Sequence, residues 1–137
     1  MKRLIVFLIL IATFTSGFAM PKKFKYGIIF NNVPFTRETA EGYGRYFKRG
    51  ERIYWLFMSN KSIKANFIKV QIVSANDKGP WNTLTGIVYT NEYRINKDSP
   101  YFFTDYVVMH TGGHYYMEIF DKNMLHKPLV VADFYVR

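Results

Sequence analysis

The chain has 137 residues, with 19 Lys and Arg against 10 Asp and Glu, a formal charge of +9 and no cysteine. This length accommodates one domain, and a hydrophobic content of 49% excludes a disordered polyelectrolyte. The lack of cysteine excludes disulfides, thiolate metal sites, iron–sulfur clusters and cysteine nucleophiles from this sequence.

Residues 1–19 have the pattern of a secretory signal peptide. Two basic residues near the start precede the apolar run 4–12, and the small residues Gly17 and Ala19 follow it. We expect cleavage after Ala19, which leaves a mature domain of residues 20–137 without a membrane-spanning segment. A retained anchor is the alternative, but a spanning helix needs about 20 apolar residues and this stretch contains Thr, Ser and Gly.

An exported domain without cysteine points to the bacterial periplasm or the extracellular medium. A chain of this size can be stable on its hydrophobic core alone, so disulfides are not required. Secreted domains of animals rely on disulfides more often, which favours a bacterial over a eukaryotic source. We therefore expect a periplasmic or secreted bacterial protein.

Alternation of apolar and polar residues with a period of two recurs along residues 20–137. Each alternating run supplies one apolar and one polar face, as a half-buried antiparallel strand requires. The alternating runs, with two further runs rich in β-branched and aromatic residues, are 24–30, 53–57, 68–72, 86–93, 101–110, 115–119 and 130–136. Turn residues separate them, which predicts an all-β antiparallel sandwich of about seven to eight strands.

One segment of the predicted domain departs from this strand pattern. Residues 36–47 contain two glycines, each of which weakens a helix by about 1 kcal/mol relative to alanine. We predict an irregular segment there, with one helical turn at most.

A short motif at the start of one predicted strand sharpens the fold class. In Gly113-His114-Tyr115-Tyr116-Met117, a tyrosine stands two residues before an apolar methionine, and Trp55 lies in an earlier strand. This pattern resembles the tyrosine corner of immunoglobulin-like β-sandwich modules, here those of bacterial envelope proteins. The resemblance implies an immunoglobulin-like sandwich over residues 23–137, with the Tyr115 hydroxyl bonded to the backbone upstream. Antibody-type domains also carry two cysteines, which this chain lacks.

Positive charge is concentrated in the first half of the predicted mature domain. Residues 20–78 hold twelve Lys and Arg against four Asp and Glu, whereas residues 79–137 hold five against six. One segment interleaves aromatic rings with cations, which together can stack on ligands and neutralise acidic groups. The candidate binding residues of this basic, aromatic face are Tyr43, Arg45, Tyr46, Lys48, Arg49 and Arg52. A solvated surface with core-filling aromatics is the alternative interpretation.

The tyrosine content favours a protein partner. The sequence has 11 Tyr, and tyrosine is enriched at interfaces because it combines a large apolar area with a polar tip. Open sandwiches also have edge strands that can accept a strand from another chain. Loop or outward positions are predicted for Tyr43, Tyr46, Tyr93, Tyr101, Tyr116 and Tyr135.

These features predict an exported, non-enzymatic module that binds without a cofactor. Its expected partner is another envelope protein or an anionic surface component. Nucleic acid is not expected, because exported proteins seldom meet it. The alternative is an inhibitor or assembly chaperone of another exported protein, acting through loops or an edge strand.

An enzyme is the third hypothesis. His110 and His114 flank a Thr-Gly-Gly turn and could bind a metal together with Asp105 or Asp121. Acid–base catalysis would use carboxylates instead, and those of Glu118 and Asp133 are predicted on the outward faces of their strands. The sequence contains no nucleophile elbow, phosphate-binding loop or zinc-protease motif, so we expect neither a metal site nor catalytic residues.

Overall fold

The computed structural model describes residues 25–36, 39, 44–75 and 86–137, which form a two-sheet β-sandwich. The predicted signal peptide lies outside the described residues. No helix forms within these ranges, so none there is long and apolar enough to cross a membrane. The strands are β1 (Tyr26–Asn31), β2 (Tyr46–Phe47), β3 (Arg52–Ser59), β4 (Phe67–Ser74), β5 (Ile87–Arg94), β6 (Phe102–Val108), β7 (Gly113–Asp121) and β8 (Val130–Val136).

The strands divide into a sheet of three and a sheet of five. The first has the order β1-β3-β6 and the second the order β2-β8-β7-β4-β5. Neighbouring strands are antiparallel, except that β2 runs parallel to β8, with Tyr46 beside Tyr135. The predicted all-β sandwich is confirmed, and the eight strands formed by the described residues agree with the predicted number. The predicted antiparallel pairing holds for the longer strands, whereas the two-residue β2, which follows β1, joins the edge of the other sheet in parallel.

The interior is filled by the apolar faces of the two sheets. Trp55 and Phe57 of β3 are fully buried, as are Met117 and Ile119 of β7. Full burial of one such side chain contributes roughly 1.5–3 kcal/mol. Because a slip of one residue would move each of these side chains out of this core to the opposite face of its sheet, their burial specifies the register of both strands.

Asp105 interrupts the apolar alternation of β6, an edge strand of the three-stranded sheet, because its side chain lies at the border of the core. It stands opposite Trp55 in the β3–β6 register, so both side chains project from the inner face. Asp105 is hydrogen-bonded to the Tyr93 hydroxyl, which also meets the Tyr89 hydroxyl at 2.8 Å. Burial, reinforced by these hydrogen bonds, raises the pKa of Tyr93. The prediction that Tyr93 faces outward is wrong, since it is half-buried with its ring 5.6 Å from that of Trp55.

The segment predicted to be irregular contains strand β2. Its last two residues, Tyr46 and Phe47, pair with β8, and the Gly44 N–H bonds the Phe30 carbonyl of β1 at 3.0 Å. The prediction of an irregular segment is consistent with this short strand, and no helical turn includes residues 44–47. Residues 37–38 and 40–43 lie outside the described residues.

Tyr115 makes the predicted hydrogen bond to the backbone upstream. Its hydroxyl donates to the Thr111 carbonyl at 2.6 Å, and its ring, only 3% exposed, stacks on Phe134. Burial raises the pKa of this phenol. The bond joins the start of β7 to the link that precedes it, and this prediction is confirmed.

The variant Tyr115→Phe removes the hydroxyl and keeps the packed ring. We expect the free energy of unfolding to fall by about 1 kcal/mol, the usual net contribution of one hydrogen bond. Urea unfolding followed by tryptophan fluorescence measures the change. Tyr116→Phe is the matched control, because the neighbouring ring lies on the outer face and is 39% exposed. Equal losses in both variants would contradict a structural role for the Tyr115 hydroxyl.

Candidate binding surface

A row of aromatic rings crosses the outer face of the five-stranded sheet. Tyr46 of β2 stacks on Tyr135 of β8, with ring centres 5.1 Å apart and planes inclined by 13°. Tyr135 stacks in turn on His114 of β7 at 4.2 Å and 7°, and His114 meets Tyr116 at 4.8 Å. We call these four side chains the ring row. Strand register aligns it, because Tyr135 lies beside both Tyr46 and His114.

The ring row is accessible, but its three stacked rings offer edges rather than faces. Tyr46 is 64% exposed, which makes it reachable by a macromolecule. Because Tyr46, Tyr135 and His114 stack on each other, their facing π surfaces are already in contact. The Arg137 guanidinium also lies over the Tyr46 ring, 5.3 Å from its centre. A partner therefore meets ring edges with tyrosine hydroxyl groups, which are suited to hydrogen bonding.

Asp133 connects the ring row to an arginine. Its carboxylate lies 2.8 Å from His114 Nε2 and 3.1 Å from Arg45 Nη1. The hydrogen bond with His114 is the main cause that lowers the pKa of Asp133, and the Arg45 charge acts in the same direction against partial burial. Asp133 is therefore ionised at neutral pH and holds the imidazole in position within the stack.

A second tyrosine pair lies on the opposite side of the molecule, on the three-stranded sheet. The rings of Tyr54 and Tyr106 are 5.5 Å apart, and the Arg52 guanidinium lies 4.7 Å over Tyr106. Arg52 also bonds the Tyr54 hydroxyl at 3.4 Å, and this bond raises the pKa of the guanidinium. These side chains face outward, because the intervening Ile53 is buried in the core.

The structure separates the residues predicted to form one basic, aromatic face. Arg45 and Tyr46 lie together at the ring row. Arg52 lies on the opposite face, with its own tyrosine pair. Tyr43 is outside the described residues.

Lys48 and Arg49, the remaining two predicted residues, are exposed in the turn between β2 and β3. The Arg49 N–H bonds the Arg137 carbonyl at 3.1 Å, so this turn lies beside the end of β8. The Arg49 guanidinium rests against Gly112, where an added Cβ would lie 2.8 Å from its Nη2. The two cations thus belong to one end of the sandwich, next to the ring row.

Sequence reasoning found only part of this surface. The alternation places Tyr116 and Tyr135 on outward faces, which agrees with the structure, but it links neither Asp133 nor Arg137 to this surface. Sequence reasoning considered His114 as a metal ligand rather than as a stacked ring. The sequence feature that could have predicted this surface is the alternation in β7 and β8, because it puts two polar or aromatic residues of each strand on the same face. Which of them become neighbours depends on the pairing register.

The histidines and the carboxylate considered for a metal site are not brought together. His110 is exposed in the link between β6 and β7, whereas His114 is engaged with Asp133. Asp105 lies at another edge of the sandwich with Tyr93. In the parts of the chain that the structure describes, no three His, Asp or Glu side chains form a group that could hold a metal.

Comparison with known proteins identifies the fold but not a family. No protein-family model and no curated protein matches the sequence. The soluble domain of PmoD from Methylocystis sp. has a TM-score of 0.53 at 12% identity, over 86% of this chain and 95% of that chain. Superoxide reductase (neelaredoxin) from Ignicoccus hospitalis has a TM-score of 0.49 at 11% identity, over 88% of this chain and 89% of that chain. The likeness to the PmoD domain supports a β-sandwich fold, and identities this low show the fold alone.

The comparisons also correct the expectation that the chain is not an enzyme. That expectation assumed that a small all-β domain has no catalytic role when its sequence contains no motif for residues that meet in one site. The structures found in the comparison include superoxide reductase, an enzyme by name, so the expectation is not upheld. The similarity brings no activity to this chain.

The variant Asp133→Asn tests the electrostatic anchor of the ring row. We expect a loss of about 0.5–1 kcal/mol at neutral pH, since partly exposed ion pairs contribute little. The lowered pKa means that the stabilisation is complete above the unfolded-state value near 3.9 and is lost as pH falls through the folded-state value. The stability difference between wild type and variant should shrink as the pH falls below about 4. Urea unfolding across this range measures it, and a constant or growing difference would contradict the interaction.

Proposed function

We propose that this chain is an exported binding module that docks on a partner through the ring row. The observation that carries the proposal is the exposed stack of Tyr46, Tyr135 and His114, continued by Tyr116. Clustered exposed rings on a small domain are a feature of interaction sites, whereas single exposed rings are ordinary. The function is thus assigned to a surface of the five-stranded sheet.

Pre-organisation of the ring row supports this proposal. Mutual stacking and the hydrogen bond from His114 to Asp133 restrict the side chains before any partner arrives. Association then costs less conformational entropy, because fewer rotamers are lost on contact. Tyrosine suits this role, since it gives a large contact area with only two side-chain torsions.

The orientation of the rings favours a protein as the partner. Sugars and nucleobases are bound by stacking on open ring faces, and the facing surfaces in this row are occupied by neighbouring rings. Hydroxyl and guanidinium groups beside apolar ring edges match the polar and apolar mixture of a protein interface. We therefore assign the partner to the class of envelope proteins.

An anionic surface component is the second candidate partner. Exposed cations surround the Tyr46 end of the ring row, where the β2–β3 turn meets the end of β8. They are Arg45, Lys48, Arg49 and Arg137. Cations around one end of a surface attract polyanions, and such binding weakens as salt screens it.

The proposal includes an immunoglobulin-like sandwich. The adjacent order of β8, β7 and β4 corresponds to the G, F and C strands of such domains, and the Tyr115 bond corresponds to their tyrosine corner. Trp55 departs from the pattern, because it lies on β3, in the position of the B strand rather than the C strand. The part of the proposal that concerns export is supported only by the signal-peptide pattern of residues 1–19.

Partner capture from the native envelope tests the proposal. A photo-crosslinking amino acid at position 46 identifies the partner, which is then purified and titrated against the intact chain and its variants. We expect Tyr46→Ala to weaken binding at least about tenfold, because a tyrosine at the centre of an interface contributes strongly.

Tyr106→Ala is the matched control for this titration. Tyr106 is 41% exposed and sits in a tyrosine pair with an arginine, but on the opposite face. We expect it to bind within about twofold of wild type. Equal effects of the two variants would refute the assignment of the surface.

A titration with anionic vesicles or dextran sulfate separates the second candidate from the first. If the partner is a polyanion, binding should fall steeply with added salt, and Arg45→Gln with Arg137→Gln should weaken it more than Tyr46→Ala does. Salt-insensitive binding that depends on Tyr46 would exclude the anionic component.

A further inference from the structure

Strand β8 has an edge that β2 covers only in part. β2 is two residues long and begins beside Tyr135, whose N–H bonds the Arg45 carbonyl at 2.7 Å. Just before this point the chain leaves β8, because the Gly44 N–H bonds the Phe30 carbonyl of β1 instead. Within the described part of the chain, residues 130–133 of β8 therefore have a neighbouring strand only on the β7 side.

The pairing pattern shows which backbone groups face this free edge. Successive N–H groups of a strand point alternately to its two sides. The N–H groups of Tyr135 and Arg137 point toward the β2 segment, so those of Asp133 and Val131 point the same way. The Asp133 carboxylate is hydrogen-bonded to its own backbone. Among the described residues, no backbone hydrogen bond on this side reaches Val131, which presents an N–H and a carbonyl to the edge.

A groove of about 350 Å³ opens beside the same edge. Residues 26–28 of β1 line one wall, and residues 130–133 of β8 line the other. Arg45 and Tyr116 complete the lining. β1 is itself the edge strand of the three-stranded sheet, so the groove lies between the edges of the two sheets.

Within residues 130–133, the free edge carries no lysine or proline that would protect it against pairing with another chain, although Lys127 and Pro128 stand just before this stretch. Exposed edges are commonly blocked by lysine, proline, a bulge or an unpaired charge. Here residues 130–133 read Val-Val-Ala-Asp, and Val131 is 45% exposed. Asp133 is the one charged residue of this stretch, and its charge is engaged by Arg45 and His114.

We propose that the groove binds one extended segment of another polypeptide, which adds as a strand to the free edge of β8 in line with β2. Only an extended backbone offers N–H and carbonyl groups at the spacing that Val131 requires. Alternate side chains of the segment would face Ile28 and the inner wall, which selects small apolar residues at every second position. This site is separate from the proposed docking function of the ring row, although Tyr116 borders both.

A blocked heptapeptide of alternating threonine and valine is the probe that tests the site. Titrated into the ¹⁵N-labelled chain, it should produce saturable shifts of the Val131, Asp133 and Ile28 amide signals. The same peptide methylated at every backbone nitrogen keeps its side chains but has no N–H donor, so it should bind at least about tenfold more weakly.

Val131→Pro removes the edge-facing N–H without removing a bond to β7, and proline is tolerated at such edge positions. We expect it to weaken peptide binding at least about tenfold, while Val131→Ala, which keeps the N–H, stays within about threefold of wild type. Should Val131→Pro fail to fold, the methylated peptide on the wild-type chain decides the question. Equal binding of both peptides, shifts confined to other residues, or no saturable shift would overturn the proposal.

Tyr46→Ala separates this proposal from the function assigned to the ring row. It should leave peptide binding unchanged, because Tyr46 does not line the groove. Loss of peptide binding in this variant would overturn an independent edge site, whereas failure of partner capture through position 46 would leave the peptide result intact.

Discussion

The pairing of β7 with β8 is the interaction on which the rest of the surface depends. Tyr115 stands opposite Phe134, and Met117 opposite Ala132, with the rings of the first pair stacked in the core. A slip of one residue would bring these side chains into solvent, so their burial holds the register in place. The same register puts His114 against Tyr135 on the outer face. The ring row is thus a consequence of how the core is packed.

The charge of this basic protein is divided among several places. Arg45 is paired with Asp133, Arg52 lies over a tyrosine on the opposite face, and Arg49 rests against the link before β7. Residues that are close in sequence are separated here because β2 lies at the edge of the five-stranded sheet, whereas β3, the next strand in the chain, belongs to the three-stranded sheet. A concentration of cations in the sequence therefore does not define one charged face.

The ring row and the β8 edge differ in the kind of contact they offer. The ring row provides side-chain edges on a completed sheet surface, whereas the edge at Val131 provides backbone groups. The two regions adjoin at Tyr116, which belongs to the row and also lines the groove. A polypeptide bound at the edge would therefore lie beside the row.

The sequence by itself determined the strand content, the inward residues of most strands and the hydrogen bond of Tyr115, because these depend on local alternation and on a short motif. It also indicated that Tyr116 and Tyr135 face outward. It did not determine that Tyr46 would stack on Tyr135, that His114 would be held by Asp133, or that Asp105 would point inward to Tyr93. These contacts join residues far apart in the chain, and they depend on strand order and register. Only the tertiary structure decides those, because they follow from how both sheets bury their apolar faces together.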